Sequence, residues 1–404
     1  MSTQLHATIA EETVREISET LDEPEWLLET RLEALATLDD LDYPSVIQTP
    51  GRRWTNLENL EYESLIEPLA QTEDKEQVGP DEVTVLPFRK AVQEIPDVLE
   101  AQFGTVVDPQ ENRLTALSTA LFTTGTVVVV PSGVDAEDVT IRTTMNGPSL
   151  FNYTLVVAED DASATILERQ DSGDAPDEDE RYYSGIVEMV AGENSFLQYG
   201  SFQDFDERTY NYTLKRGDAG RYATVNWIEG NLGSRLTKTE VSTMLGADNA
   251  ETKIVGAFFG HEDQHFDLDS KVWHRGEHTT ADLVTRGVID DQARSVYEGT
   301  QDVGKEAWDT SSYQRENTLM LSDESEADAS PQLIINNHDT EASHSATVGQ
   351  IDREDLFYMS ARGLPEETAS NMLVEGFFVP VLEEIEVDEL REDLRAAILE
   401  RLQA

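Results

Sequence analysis

The chain has 404 residues, no cysteine, and 82 acidic against 29 basic side chains, a formal charge of −53. That balance argues against nucleic acid as a ligand, because phosphate binding needs basic patches. The missing thiols exclude disulfides, thiolate catalysis and an all-thiolate metal centre within this chain. Hydrophobic residues make up 38%, enough for a packed core, yet no run reaches the ~20 apolar residues of a membrane helix. The opening stretch is acidic and lacks a basic-then-apolar pattern, so the expectation is a cytoplasmic protein without leader or anchor. The sequons at Asn152 and Asn211 then read as chance matches. Acidic residues interleave with apolar ones instead of forming blocks, which favours a folded, salt-adapted chain over a disordered one.

Residues 1–120 read as a mainly helical N-terminal domain. Val14, Ile17, Leu21, Leu27, Leu28, Leu32 and Leu35 recur at helical spacing, and Pro24 marks the start of a second helix. Residues 51–80 are polar and loop-rich, and Ala91–Phe103 and Glu111–Phe122 return to helix. From 121 to 350 the pattern changes to about eleven short β-rich runs separated by Gly, Asp and Asn. Such a series without intervening helix fits a sandwich, a barrel or a β-solenoid. Asp171–Arg181 reads as an exposed acidic loop. Residues 351–404 form a C-terminal helical domain: acids at 352–355 open one helix, Gly363 ends it, Pro365 starts another, and Val387–Leu402 makes the last.

Three constellations could carry chemistry. Gly299–Glu306 approximates a phosphate-binding loop, but Glu306 stands where a magnesium-binding hydroxyl is needed and Asp302 would face the phosphates. A turn between strands explains it better. His261, His265, His274 and His278 lie close in sequence. On a helix the first two would share one ion, but strand residues four apart are separated by ~13 Å, which favours structural roles over a metal site. His344 sits between Ser343 and Ser345. No nucleophile elbow occurs and no acid–base partner can be assigned, so residue type alone leaves it as a lone, structural histidine.

Longer stretches change that reading. Gly287-Val288-Ile289, Ala293–Gly299, Asn317–Ser322, Pro331–Ile335, Ala342–Gly349 and Leu356–Gly363 follow one another in an order and spacing that resemble the SufB/SufD family of iron–sulfur cluster assembly proteins. Glu23–Arg31, Ala120–Gly125 and Val130–Val134 are similar to that family's N-terminal helix and its entry into the β-region. The resemblance implies a mainly β fold, a right-handed parallel β-helix flanked by helical domains. It implies a non-catalytic scaffold subunit that pairs with its paralogue SufB and binds the ABC-type ATPase SufC, or forms a homodimer in isolation. No resident cofactor is implied; a transient iron–sulfur cluster would form at the interface with SufB. The missing cysteine and the Ala-Ser-His-Ser-Ala-Thr-Val-Gly segment place the chain on the SufD side. His344 matches a histidine implicated in cluster formation there, while Ala342 stands where some such proteins have cysteine. Phe357, Tyr358, Arg362 and Gly363 match the motif near the ATPase contact, against the plainer alternative that the two rings pack on the β-domain and the glycine caps a helix. A stand-alone β-helix enzyme and a free-standing metal-binding protein using His261–His278 are the rival classes.

Charge alone generates one test. Self-repulsion at −53 opposes compaction, and only about molar salt, with a Debye length of ~3 Å, removes it. Far-ultraviolet circular dichroism should show loss of structure as KCl is lowered below roughly molar levels; unchanged spectra in dilute buffer would contradict salt adaptation.

Overall fold

The computed structural model describes residues 9–48, 55–58, 60, 62–70, 76–173, 180–385 and 387–402. Helices α1 (Glu11–Leu21), α2 (Glu25–Thr37), α3 (Tyr62–Leu65), α4 (Phe88–Glu94), α5 (Pro96–Gln102) and α6 (Arg113–Leu121) come first, with short strands β1 (Glu76–Val78) and β2 (Thr84–Pro87) among them. The β-region follows as β3 (Thr124–Val130), β4 (Asp135–Met145), β5 (Ser149–Ala158), β6 (Ser163–Ser172), β7 (Arg181–Ala191), β8 (Phe196–Asp204), β9 (Thr209–Ala219) and β10 (Thr224–Asn231). It continues as β11 (Leu236–Leu245), β12 (Glu251–Gly260), β13 (His265–His274), β14 (Thr280–Ile289), β15 (Arg294–Val303), β16 (Thr310–Met320), β17 (Glu326–Ile335) and β18 (Thr340–Gln350). Helices α7 (Arg353–Ala361), α8 (Glu366–Glu383) and α9 (Asp388–Arg401) close the chain.

From β3 onward successive strands alternate between two sheets, so that two strands make a turn and about eight turns stack. The even-numbered strands form one sheet and the odd-numbered the other, every pair among β3–β18 being parallel. This is a parallel β-solenoid with helices at both ends of the sequence, the architecture expected. β1 on β4 and β2 on β3 are antiparallel and cover the first turn.

The register explains how a chain without a repeat consensus builds a repeating fold. Ile166, Tyr199, Trp227, Ile254 and Leu283 occupy one column of the even sheet, facing the lumen. The corners repeat as well. Asp161, Asn194, Tyr222, Asn249, His278 and Asp309 all take left-handed backbone at the passage from odd to even strand. Asp and Asn tolerate that region best among residues with a Cβ. The first five of these corners donate their N–H to the next turn, as Asn194 does to Arg221 O at 2.8 Å and Asn249 to Glu277 O at 2.8 Å.

The helices lie on the outer faces. α6 and its neighbours cover the odd sheet, where Phe88, Phe103, Phe122 and Tyr153 pack ring on ring at 4.5–6.0 Å. Arg31 is fully buried there. It pairs with Glu23 at 2.6 Å and donates to the carbonyls of Thr119, Ala120 and Phe122, where a cation offsets the negative end of α6. On the even sheet, Val374, Phe378, Val381 and Leu382 of α8 and Leu390, Leu394 and Ile398 of α9 pack on Val255, Ala257, Phe259 and Val284. Strand β12 is therefore buried on both faces, inward through Ile254 and outward through Val255.

Some expectations need correction. There are sixteen solenoid strands, not eleven, because strands such as β4, β8, β9, β13 and β18 are too polar to read as β from composition. The expected helix over 91–103 is two helices, broken where Pro96 removes an amide donor. Asn152 and Asn211 are buried, so neither sequon is reachable by a glycosylating enzyme. Residues 174–179 of the acidic loop and 51–54 and 71–75 of the polar stretch lie outside the described residues.

Candidate functional site: the open end of the solenoid

A strand inside the stack pairs on both edges, but β18 pairs only with β16 and β17 only with β15 among the described residues. The far edges of both strands present unpaired N–H and C=O groups. Exposed edges invite pairing with another chain, and proteins ordinarily blunt them with charge. Here the reverse holds. About one residue in five is acidic over the whole chain, yet Ala329–Ile335 and Ala342–Gln350 contain no Asp, Glu, Lys or Arg. No residue of β17 or β18 is buried. Ile334, Ile335 and Val348 are among the exposed large apolar side chains.

His344 lies in the middle of β18 and is exposed. Its register partner is Gln314, which continues the lumen column from Leu283. Parallel-paired residues share a face, so the imidazole stands on the inward face of the last turn, at the rim. The lumen changes character just beneath it. Thr310, Ser312, Gln314, Glu316 and Thr318, alternate residues of β16, are all polar and buried, and Gln314 stands where the turns below carry Leu283 and Ile254. Both amide atoms of Gln314 are buried without a hydrogen-bond partner. Gly299 on the opposite sheet makes room for this side chain: a Cβ there would stand 1.6 Å from the amide nitrogen. Gly299 of the phosphate-loop lookalike thus serves packing, and residues 299–303 belong to β15.

Glu316 was not foreseen from the sequence. It lies on the same face of β16 as Gln314, paired with Ala346, and is 1% exposed. One carboxylate oxygen accepts from the Thr318 hydroxyl at 2.5 Å and the other has no partner. Burial pushes its pKa from the ordinary 4.5 up to about 7, opposed by the Thr318 hydroxyl and the Thr347 amide. The usable signal was the unbroken run of polar residues at every second position of β16, where the neighbouring β14 interposes Ala281 and Leu283. Further polar residues continue inward along the same column, Thr285, Glu229, Ser201 and Glu168. Glu229 is neutralised across the lumen by Lys215 of β9 at 2.8 Å.

The chain leaves β18 at Gln350 and enters α7 at Arg353, so the second candidate surface adjoins the first. The Asp352 side chain caps α7 by accepting from Glu354 N at 2.8 Å. Gly363 ends it with φ +94, a left-handed position that suits glycine. α7 buries none of its residues. Phe357 is 74% and Tyr358 58% exposed, so the two rings do not pack on the solenoid. The Arg362 guanidinium lies 4.8 Å from the centre of the Tyr358 ring.

The four central histidines do not converge. His265 is buried, with Nε2 3.0 Å from Thr55 Oγ1. His274 is enclosed between Thr279 and Ser312, and burial pushes its pKa down to about 4. His278 occupies a left-handed corner and meets Asp309 at 2.7 Å. His261 lies 3.4 Å from Glu207. No helix among the described residues is long and apolar enough to cross a membrane.

The buried carboxylate generates a pH test. Folded Glu316 keeps its proton up to about pH 7, whereas the unfolded chain releases it near 4.5. Its contribution is complete below the lower value and is lost as pH rises through the upper one. Glu316→Gln, neutral throughout, should gain roughly 3 kcal/mol on the parent between pH 4.5 and pH 8. Parallel denaturation of both proteins in constant high salt cancels the other acidic groups. A difference independent of pH would contradict the assignment.

Comparison with known proteins places this geometry. Residues 141–377 match the family model described as SUF system FeS cluster assembly, SufBD core domain, and residues 55–141 match the SufBD protein N-terminal region. The iron-sulfur cluster assembly protein SufD of Bacillus subtilis is 29% identical, covering 98% of each chain. An iron-sulfur cluster assembly SufBD family protein of Synechocystis is 28% identical over 88% of this chain and 77% of its own. SufB of Bacillus subtilis is 25% identical over 94% of this chain and 90% of its own. With more than half of its length matched by the core model, the chain belongs to the SufB/SufD family of the SUF iron–sulfur cluster assembly system.

Proposed function

We propose that this chain is the SufD-type scaffold subunit of the assembly machinery, without catalytic residues of its own, acting in the cytoplasm of a salt-loving organism. Its partner at the open end is the paralogue SufB. The observation that carries this reading is the unpaired edge of β17 and β18, uncharged over Ala329–Ile335 and Ala342–Gln350, on a molecule of charge −53. A strand from a partner would satisfy those backbone groups and cover Ile334, Ile335 and Val348. His344 on the inward face of that edge would then lie at the junction of two subunits. Neutral imidazole is a ligand for iron, and this chain has no thiolate to offer, so the remaining ligands of a nascent cluster would come from SufB. The cluster is cargo here, not a resident cofactor.

The exposed Phe357 and Tyr358, with Arg362 and the turn at Gly363, support a second docking surface on α7, for the ATPase SufC. ATP hydrolysis belongs to that partner. Because only Ile351 and Asp352 separate α7 from β18, a pull on the helix would be felt directly at the edge that carries His344.

His344→Ala tests the reading. The side chain is exposed and supports no packing, so the variant should co-elute with SufB and SufC in the parent's proportions. Iron–sulfur absorbance after reconstitution of that complex should fall at least about fivefold, a loss of roughly 1 kcal/mol or more in cluster retention. Parent-level absorbance in the variant complex would remove His344 from the site.

A further inference from the structure

Away from the solenoid mouth, a different set of side chains converges at the opposite corner of the turns. Glu207 lies between β8 and β9, and His261 and Glu262 lie between β12 and β13. One carboxylate oxygen from each glutamate and one ring nitrogen of His261 all fall within 4.8 Å of one another. His261 Nε2 is 3.4 Å from Glu207 Oε1. Among the described residues this is the one group of three such side chains close enough to share an ion.

The corner is built to hold this arrangement. The His261 amide donates to Gln264 Oε1 at 3.0 Å. Gln264, 1% exposed, is anchored in turn by donating to Leu232 O at 3.2 Å and Ser234 O at 2.9 Å. Glu262 has left-handed backbone, φ +51, and its amide is held by Asp291 Oδ2 at 3.0 Å. His261 and Glu262 are thus positioned by backbone hydrogen bonds that leave their ligand atoms free of that task. The surroundings suit a cation: Asp204, Asp263 and Asp291 are near. The one positive group facing both Glu207 and His261 is Arg401, which is already engaged by Asp204 at 2.5 Å.

We propose that Glu207, His261 and Glu262 form a surface site for a divalent first-row transition-metal ion such as zinc or ferrous iron. A ring nitrogen with carboxylate oxygens suits those ions, whereas magnesium and calcium prefer all-oxygen shells. Three protein ligands leave one or more positions to water. The site lies between two turn corners and beside the end of α9, whose Arg401 also donates to Leu232 O. It does not depend on the reading of β17 and β18.

Cobalt(II) is a direct probe, because a nitrogen- and oxygen-ligated ion gives visible d–d bands that the aqueous ion shows only weakly. One equivalent added to the full chain in high KCl with excess magnesium should develop such bands, and His344→Ala should develop them equally. His261→Ala should weaken cobalt binding at least tenfold, as should the milder Glu262→Gln, whose exposed side chain leaves folding intact. Absence of bands in the parent, their quenching by magnesium, or parent-level binding by both variants would each overturn the site.

Discussion

Each turn of a parallel solenoid satisfies its backbone by pairing with the turn on either side, and a stack must therefore end somewhere with half its hydrogen bonds unmade. The two ends of this stack meet that constraint differently. At the first turn, β1 and β2 come back antiparallel on β4 and β3. At the last turn, β17 and β18 have no outer neighbour among the described residues. An exposed edge whose uncharged stretches run over Ala329–Ile335 and Ala342–Gln350 is a hazard on an isolated protein. It is what the proposed pairing with a second subunit would require.

The lumen follows from the same geometry. One of its columns is apolar from Ile166 to Leu283, beside a second that carries Glu168, Ser201, Glu229 and Thr285. Approaching the rim, Gln314 ends the apolar column and Glu316 continues the polar one, leaving a buried amide and a buried carboxylate that lack full partners. Unpaired buried polar groups oppose folding by about 1–3 kcal/mol each, so the interior turns that precede them must supply the stability that keeps them in place. The helices contribute from outside, α6 and its aromatic neighbours on one sheet and α8 and α9 on the other. A rigid, doubly covered body thus carries an unfinished end, and His344 sits at its rim.

Much of this was legible in the sequence, and the limits have physical causes. Helix α1, the break before α2 and the cap at Gly363 followed from periodicity and backbone preference. Strands with alternating β-branched residues were visible, whereas β9 and β18 were not, since one turns Lys215 into the lumen and the other faces open space. The solenoid itself came only through family resemblance, because its repeat lies in columns and left-handed corners and not in any consensus. Resemblance also pointed to His344, while its setting, beneath it Gln314 and beside that Glu316, needed the register. The four central histidines looked like a cluster in one dimension. Folding disperses them and brings His261 instead to Glu207 and Glu262, residues from corners far apart in sequence.

The claim on which this account turns is that residues 326–350 are an interface waiting for a partner strand. Hydrogen–deuterium exchange measures that backbone directly, with the chain alone and in complex with its SufB paralogue in high KCl. The account predicts slow exchange in β5–β14 in both states, and protection of β17 and β18 that appears only in the complex. Equal exchange of β17 and β18 with and without the partner would contradict it.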